Sequence, residues 1–264
     1  MEVSGLITLT TDFGTRDPYA GIMKGTILMA NSRARIIDIT HEIPKHDITT
    51  ASLTIGQAYE YFPHGTVHVG VVDPEVGQSR KNIAILTEHY IFVGPDNGIF
   101  SFVLTEEKTV DIREIKNTPF VLEKISNTFH GRDVFSPCSA YLSAGKNFSE
   151  IGPEINNVKH LKYPKVNQSG NILKGEVVAI DSFGNMITNI SEHILRSFMG
   201  KKRVEIYFAT ERFSSIMRYY NDVPHRTALV LFGSSGYLEI SMNGESAEDY
   251  FMTSIGSPVT VRKY

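Results

Sequence analysis

The 264-residue chain has one cysteine, Cys138, and no tryptophan. A single thiol excludes an intramolecular disulfide and a cysteine-based metal centre. The formal net charge is −3 at pH 7 and no stretch concentrates lysine and arginine. Nucleic acid is therefore not an expected partner, since phosphate binding needs clustered cations. No window approaches the ~18 consecutive apolar residues of a membrane span. The opening MEVSGLITLTTDFG has neither a basic n-region nor a long apolar h-region, so no secretory signal is read there. Also missing are the phosphate-binding G-x-x-x-x-G-K, a strand-linked G-x-G-x-x-G and the zinc motif H-E-x-x-H. What remains is the expectation of a soluble, cytoplasmic globular protein with no cofactor, no nucleic-acid partner and no membrane partner. With 41% hydrophobic residues, the chain is long enough to bury a sizeable core in two domains.

The first 160 residues alternate strand-like and helix-like segments. LITLT (6–10), RIIDI (35–39) and TVHVGVV (66–72) read as strands, and 82–86 with 90–93 as a hairpin pair. Asp17 and Pro18 are placed as N-cap and first-turn proline of a helix through Ile22, Met23, Ile27 and Leu28. Asp47 is placed to cap a second helix, and 133–142 reads as a third despite Pro137. This alternation predicts an α/β N-terminal domain with a mostly parallel sheet over 1–160. HLKYPKVNQSGN reads as a linker, set at 161–172. Beyond it come short strand-like runs at 175–180, 203–208, 228–232, 237–241 and 258–262, with little helical periodicity. They predict a small all-β, barrel-like C-terminal domain over 173–264.

Polar residues collect where the apolar strands end: Asp12 and Asp17 after the first, Asp38 and His41 after the second, Asp73 after the third. In open α/β sheets these carboxyl ends border the ligand crevice, although turns attract aspartate anyway. TTDFGTRD (10–17) is either a turn plus a helix cap, or a pair of carboxylates offering Asp12 to hydroxyls and Asp17 to an ammonium group. DPEVGQSR (73–80) sets an acid and a base seven residues apart, either as a surface ion pair or as part of a site. NTFHGRD carries His130 on a glycine turn before a helix. VGPDNG (93–98) reads as a hairpin turn. IDSFGNMITNI (180–190) offers Asp181 as acceptor, Phe183 as stacking face and Asn185 as amide. A metal site built from Asp12, His41, His68 or His130 follows no ligand spacing.

DFGTRD, VVDPEVGQSR, VGPDNG, FHGRD, IDSFGNMITN and GSSGYLEISMNG, six motifs in order from Thr10 to about Asn243, resemble those of the S-adenosylmethionine (SAM) hydroxide adenosyltransferases. These SAM hydrolases are relatives of the SAM-dependent fluorinase and chlorinase. The resemblance implies an α/β domain followed by a β-barrel-like domain, and hydrolysis of SAM to adenosine and L-methionine without a cofactor or metal. It implies that Asp73, Arg80 and His130 handle the water, and that Asp12 accepts from the ribose hydroxyls. Asp17 and Asp181 would pair with the methionine ammonium, Ser234 would meet its carboxylate, and Phe183 and Asn185 would hold the adenine. It also implies a homotrimer with active sites between subunits. The halogenases carry tyrosine in place of Asp73 and Tyr-Ser in place of His130-Gly131, so the likeness is to a hydrolase. Two departures stand out. Ser235 replaces the halogenases' arginine next to the carboxylate-binding serine, and no tryptophan is present near PKHD (44–47), where they place one against the sugar. A halogenase of the same family and a non-catalytic SAM- or adenosine-binding protein are the alternatives.

Overall fold

The computed structural model describes all residues from Met1 to Tyr264. The chain folds as two compact units, Met1–Leu161 and Lys162–Tyr264.

The N-terminal unit is built on six strands: β1 (Leu6–Thr11), β2 (Arg35–Thr40), β3 (Val67–Val71), β4 (Asn82–Thr87), β5 (Ile91–Pro95) and β6 (Thr109–Glu114). Their order is β2-β1-β3-β5-β4-β6. β2, β1, β3 and β5 pair in parallel, whereas β4 is antiparallel to both β5 and β6. The sheet is thus mixed, with three of its five pairings parallel as the sequence reading expects. The three-residue connection Glu88–Tyr90 makes β4 and β5 a hairpin, since so short a reversal cannot join parallel strands. Every residue of β1, β3 and β5 is buried, as expected where helices cover both faces.

Alternation along the strands separates two cores. Ala84, Ile91 and Val93 pack with Met23 and Ile27 of helix α1 (Tyr19–Ala30) on one face. Ile83, Ile85 and Phe92 pack with Ala51 and Ile55 of α2 (Ile48–Ala58) on the other. The short α3 (Val103–Glu106) joins the second core through Val103, and α4 (Ser136–Ser143) joins the first through Cys138, Ala140 and Leu142. The start of α1 differs from the sequence reading. Pro18 occupies the cap position and no side chain makes a capping bond, so Asp17 lies one residue too early to cap and stays free for other work. Asp47 does cap α2, accepting from the Thr50 backbone N–H at 2.9 Å.

VGPDNG is not a hairpin turn. The chain runs on from β5 toward α3, with Asp96 and Asn97 both buried. Asn97 Nδ2 donates to the Val72 carbonyl at 2.8 Å and Asp96 Oδ1 accepts from Lys159 N at 2.7 Å. These polar side chains replace the ladder partners that a loop lacks, and one of them anchors the residue directly before Asp73.

The C-terminal unit contains β7 (Asn167–Ser169), β8 (Ile172–Ile180), β9 (Met186–Ser191), β10 (Val204–Phe208), β11 (Glu211–Phe213), β12 (Ala228–Phe232), β13 (Tyr237–Met242) and β14 (Pro258–Lys263). The stretch read as a linker therefore contains the short β7, which pairs with β8. The main order is β11-β10-β14-β8-β9-β13-β12, all antiparallel. Met217, just after one edge strand, bridges to Leu231 in the other edge strand, so the sheet curls toward closure as a barrel. One core fills it, including Val177, Ile190, Ile206, Leu238 and Val261. The unit also contains helices α5 (Glu192–Met199) and α6 (Ala247–Phe251), so it is not all-β. Ser191 Oγ caps α5 by accepting from Ile194 N, and Gly200 at φ +59° ends it.

Candidate active site

The chain order brings β1 and β3 together as parallel neighbours, with β2 on the far side of β1. The connections leave in opposite directions at this pair, which is the topological switch point where α/β sheets open a crevice. Asp12 follows β1 and Asp73 follows β3, so both carboxylates stand at that crevice. A cavity of about 280 Å³ opens there, and Asp12, Asp17, Asp73 and His130 all line it. Phe13, Tyr19 and Phe129, which meet edge-on or tilted with centroids 5.3–5.9 Å apart, form an aromatic wall. Lys45 and His46 complete the rim.

Asp73 and Arg80 are joined by a forked contact. Arg80 Nε donates to Asp73 Oδ1 at 2.8 Å and Nη2 donates to Oδ2. Their side chains are only 6% and 0% exposed, so this is no surface ion pair. Nη2 also lies 2.9 Å from His130 Nδ1. The guanidinium sits over the Phe135 ring at 5.7 Å, which favours a planar cation. Asn82, the first residue of β4, lies in the same cluster, its Oδ1 accepting from Arg80 Nη1 and standing 3.2 Å from His130 Nδ1.

His130 ends the loop that precedes α4. The following Gly131–Phe135 is a π-helical turn, a local form that recurs at functional sites. Asp133 holds this loop: its Oδ2 accepts from Ser126 N at 2.7 Å and its carboxylate pairs with Arg132. Arg132 and Asp133 therefore satisfy each other and leave His130 to Arg80 and Asn82. Burial, and then the Arg80 charge, hold the His130 pKa below the ordinary histidine value, against the opposing pull of Asp73 and Asp133. A pKa below the ordinary value favours the neutral imidazole at pH 7.

Asp12 Oδ2 accepts from the His46 backbone N–H at 2.9 Å. His41 Nδ1 pairs with Thr11 Oγ1 at 2.8 Å, and His68 Nδ1 with Thr8 Oγ1 at 2.8 Å. These two histidines serve the sheet, and no group of three or more histidine, cysteine, aspartate or glutamate side chains is arranged around a metal position.

In the C-terminal unit, Asp181, Phe183 and Asn185 share one loop. Asp181 Oδ1 accepts from the backbone N–H groups of Phe183 and Asn185, each at 2.9 Å, and Oδ2 accepts from Asn185 Nδ2 at 2.9 Å. Phe183 is 77% exposed, an unusual setting for an aromatic ring with no surface to cover. Ser234 lies on the turn between β12 and β13. Sequence reasoning missed Asn82, Tyr19, Lys45 and His46 as members of the site. Only the polar PKHD stretch hinted at the last two.

A mixed α/β unit with a carboxylate–guanidinium–imidazole cluster at its switch point, followed by a curled antiparallel unit, defines an enzyme of small-molecule chemistry. Residues 7–152 match the SAM hydroxide adenosyltransferase N-terminal domain and residues 175–260 match the C-terminal domain. The chain belongs to the SAM hydroxide adenosyltransferase family. It is 32% identical over 258 residues, 97% of each chain, to a protein of Salinispora arenicola named (R)-S-adenosyl-L-methionine hydrolase. A fluorinase of an Actinoplanes species is more distant, 26% identical over 212 residues that span 70% of this chain and 71% of that one. A crystal structure of an uncharacterized conserved protein from Thermotoga maritima superposes with a TM-score of 0.90 at 33% identity, covering 97% of this chain and 99% of that one.

Proposed function

We propose that the chain hydrolyses S-adenosyl-L-methionine to adenosine and L-methionine by in-line attack of water on the ribose 5′ carbon. The observation that carries this reading is the meeting of Asp73, Arg80 and His130, distant in sequence, at the cavity that also holds Asp12 and Asp17. Family membership supports the same reaction.

The chemistry balances simply. An O–C5′ bond forms, the C5′–S bond breaks, and its electron pair returns to sulfur. The sulfonium becomes a neutral thioether and needs no proton. The water must lose one, and its pKa of about 15.7 makes that the difficulty. A fixed carboxylate and imidazole that hold and activate it contribute roughly 10²–10⁴-fold. Alignment of oxygen, carbon and sulfur adds an entropic gain. Carboxylates against the sulfur would stabilise the ground state more than the transition state, because the positive charge disappears during attack. Acids at the far ends of the substrate avoid that cost. Asp12 takes the ribose hydroxyls, Asp17 and Asp181 the methionine ammonium, Ser234 its carboxylate, and Phe183 and Asn185 the adenine.

The cavity of about 280 Å³ falls just below the ~300–1,000 Å³ of pockets that enclose a whole ligand. It suits the sugar and reacting centre alone. The remainder of the substrate then needs further surface, in keeping with a homotrimer whose active sites lie between subunits. A halide nucleophile fits poorly. An anion would have to approach Asp73, whereas neutral water gives that carboxylate a proton to accept.

The test is incubation with S-adenosyl-L-methionine in ¹⁸O-water, with and without chloride or fluoride, followed by chromatography and mass spectrometry. Label in the adenosine 5′-hydroxyl supports the reading. Halogenated adenosine would make the protein a halogenase, and tight binding without turnover would make it a binding protein.

A further inference from the structure

The cluster assigns more than proximity, because guanidinium nitrogens only donate. All five Arg80 N–H groups can be placed. Nε–H goes to Asp73 Oδ1 at 2.8 Å, the two on Nη1 to the Lys81 carbonyl at 3.3 Å and to Asn82 Oδ1, and the two on Nη2 to Asp73 Oδ2 and His130 Nδ1 at 2.9 Å. His130 Nδ1 must therefore present a lone pair. The competing arrangement puts the hydrogen on Nδ1 and donates it to Asn82 Oδ1 at 3.2 Å. That would drive an N–H against the Arg80 Nη2–H groups at 2.9 Å. The shorter, charge-assisted contact decides between them. Asn82 cannot escape by turning over, since its NH₂ would then face Arg80 Nη1–H.

We propose that Arg80 fixes His130 as the Nε2–H tautomer, with Asn82 as the positioning residue that holds the guanidinium in place, so that His130 serves the water as a donor while Asp73 accepts the proton. This rests on the hydrolase reading for its catalytic meaning, but the tautomer itself does not. In the reaction, the hydrogen released as the O–C5′ bond forms goes to the Asp73 carboxylate. The imidazole, with Nδ1 occupied and Nε2 protonated, has no acceptor to offer and steadies the attacking oxygen instead. An imidazolium, with hydrogens on both nitrogens, is excluded by the same Arg80 contact, in agreement with the direction of the His130 pKa.

The primary test needs no substitution in the observed protein. The full chain is labelled with ¹⁵N-histidine, long-range ¹H–¹⁵N correlations are recorded at pH 7, and the His130 signal is assigned by its loss in His130→Gln. An unprotonated Nδ1 with a protonated Nε2 is expected. A protonated Nδ1, or an averaged pattern, overturns the proposal. Two activity measurements read the consequence. A donor role lets the Gln amide substitute in part, so His130→Gln keeps at least ~10-fold more kcat than His130→Ala, whereas equal loss in both would mark a base. Asn82→Asp still accepts from Arg80 but draws a proton onto Nδ1. It should switch the tautomer and lower kcat by about 10²-fold with little change in KM. A switched tautomer with undiminished kcat overturns the catalytic part. If the wild-type protein releases no adenosine at all, the hydrolase reading fails and the spectrum still judges the tautomer.

Discussion

Asp73 and Arg80 stand seven positions apart and meet edge to edge, both carboxylate oxygens taken by one guanidinium. Neither side chain is more than 6% exposed, so the intervening loop exists to fold the pair inward. A buried ion pair is weak evidence for stability, because desolvation offsets much of its attraction. Its position at the end of a central parallel strand, on the wall of a cavity, gives it a different purpose: a carboxylate held at fixed orientation beside a reacting centre.

Arg80→Lys tests the fork. Lysine keeps the charge but offers three donors from one point, and Arg80 serves two carboxylate oxygens, a carbonyl, an amide oxygen and an imidazole. The expected result is a kcat at least ~10²-fold lower with KM nearly unchanged, and about 1–3 kcal/mol less stability from acceptors left unpaired. Steady-state kinetics and urea unfolding measure both. Wild-type kcat in this variant would show that charge alone suffices.

Asp73→Asn removes the charge at nearly constant volume. Arg80 is then a buried cation without its partner, costing about 3–5 kcal/mol, and adenosine release is lost. Adding Arg80→Met should restore much of the stability while leaving the enzyme inactive. Recovery of turnover in the double variant would assign catalysis elsewhere.

Asp12 and Asp73 were legible because each follows a run of β-branched residues, and strand ends border the crevice in this class of fold. Arg80 was legible only as the base that closes the DPEVGQSR loop opened by Asp73. Asn82 was not. It opens the apolar strand NIAILT with no local signal, and its task depends on β4 pairing and on a histidine 48 positions later. VGPDNG misled for a related reason. Turn-forming residues signal a change of direction, but the partners of Asp96 and Asn97 are backbone groups of Lys159 and Val72, which no local pattern reveals. Helix α5 did carry its signals, Ser191 before it and Gly200 after it, yet only Leu195 and Phe198 in it are buried. The helix is amphipathic, but at eight residues it is too short for its period to stand out between the flanking strand-like runs. The edge strand β6, TVDIRE, is charged and largely unburied, so it lacks the apolar run that marks β1 and β3.

His68 makes the N-terminal unit acid-sensitive. Its ring stacks on Phe92 at 5.2 Å, its Nδ1 pairs with Thr8, and its Nε2 is buried without a partner. Burial pushes its pKa down to about 3, against ~6.5 in the unfolded chain. Below pH ~6.5 the unfolded chain takes up a proton that the folded one refuses, so stability present above that value falls as pH falls. The loss approaches 1.4 kcal/mol per pH unit, on the order of 5 kcal/mol by pH 3. Urea unfolding of the wild type and His68→Asn at pH 7 and pH 4 isolates this residue. The wild type should lose about 3 kcal/mol more than the variant between those values. Parallel declines would mean that His68 is protonated in the folded state.

Gly77 decides how closely the DPEVGQSR loop can approach the loop that carries His130. Its φ is +76°, and a Cβ there would lie 2.1 Å from the Asn127 carbonyl oxygen. Gly77→Ala therefore meets two penalties, a left-handed backbone worth about 1–2 kcal/mol and a collision with main chain that only a shift of one loop relieves. Gly145→Ala is the control. It has φ +81° in the same unit, but its nearest contact is Val3 Cγ2 at an ordinary 3.7 Å. Both variants should unfold at lower urea, but only Gly77→Ala should separate Asp73 and Arg80 from His130 and lower kcat, by 10-fold or more if roughly 1 Å of displacement has its usual cost. Equal kcat in the two variants would mean that the cluster tolerates movement of its loops, and that its geometry is not what limits the reaction.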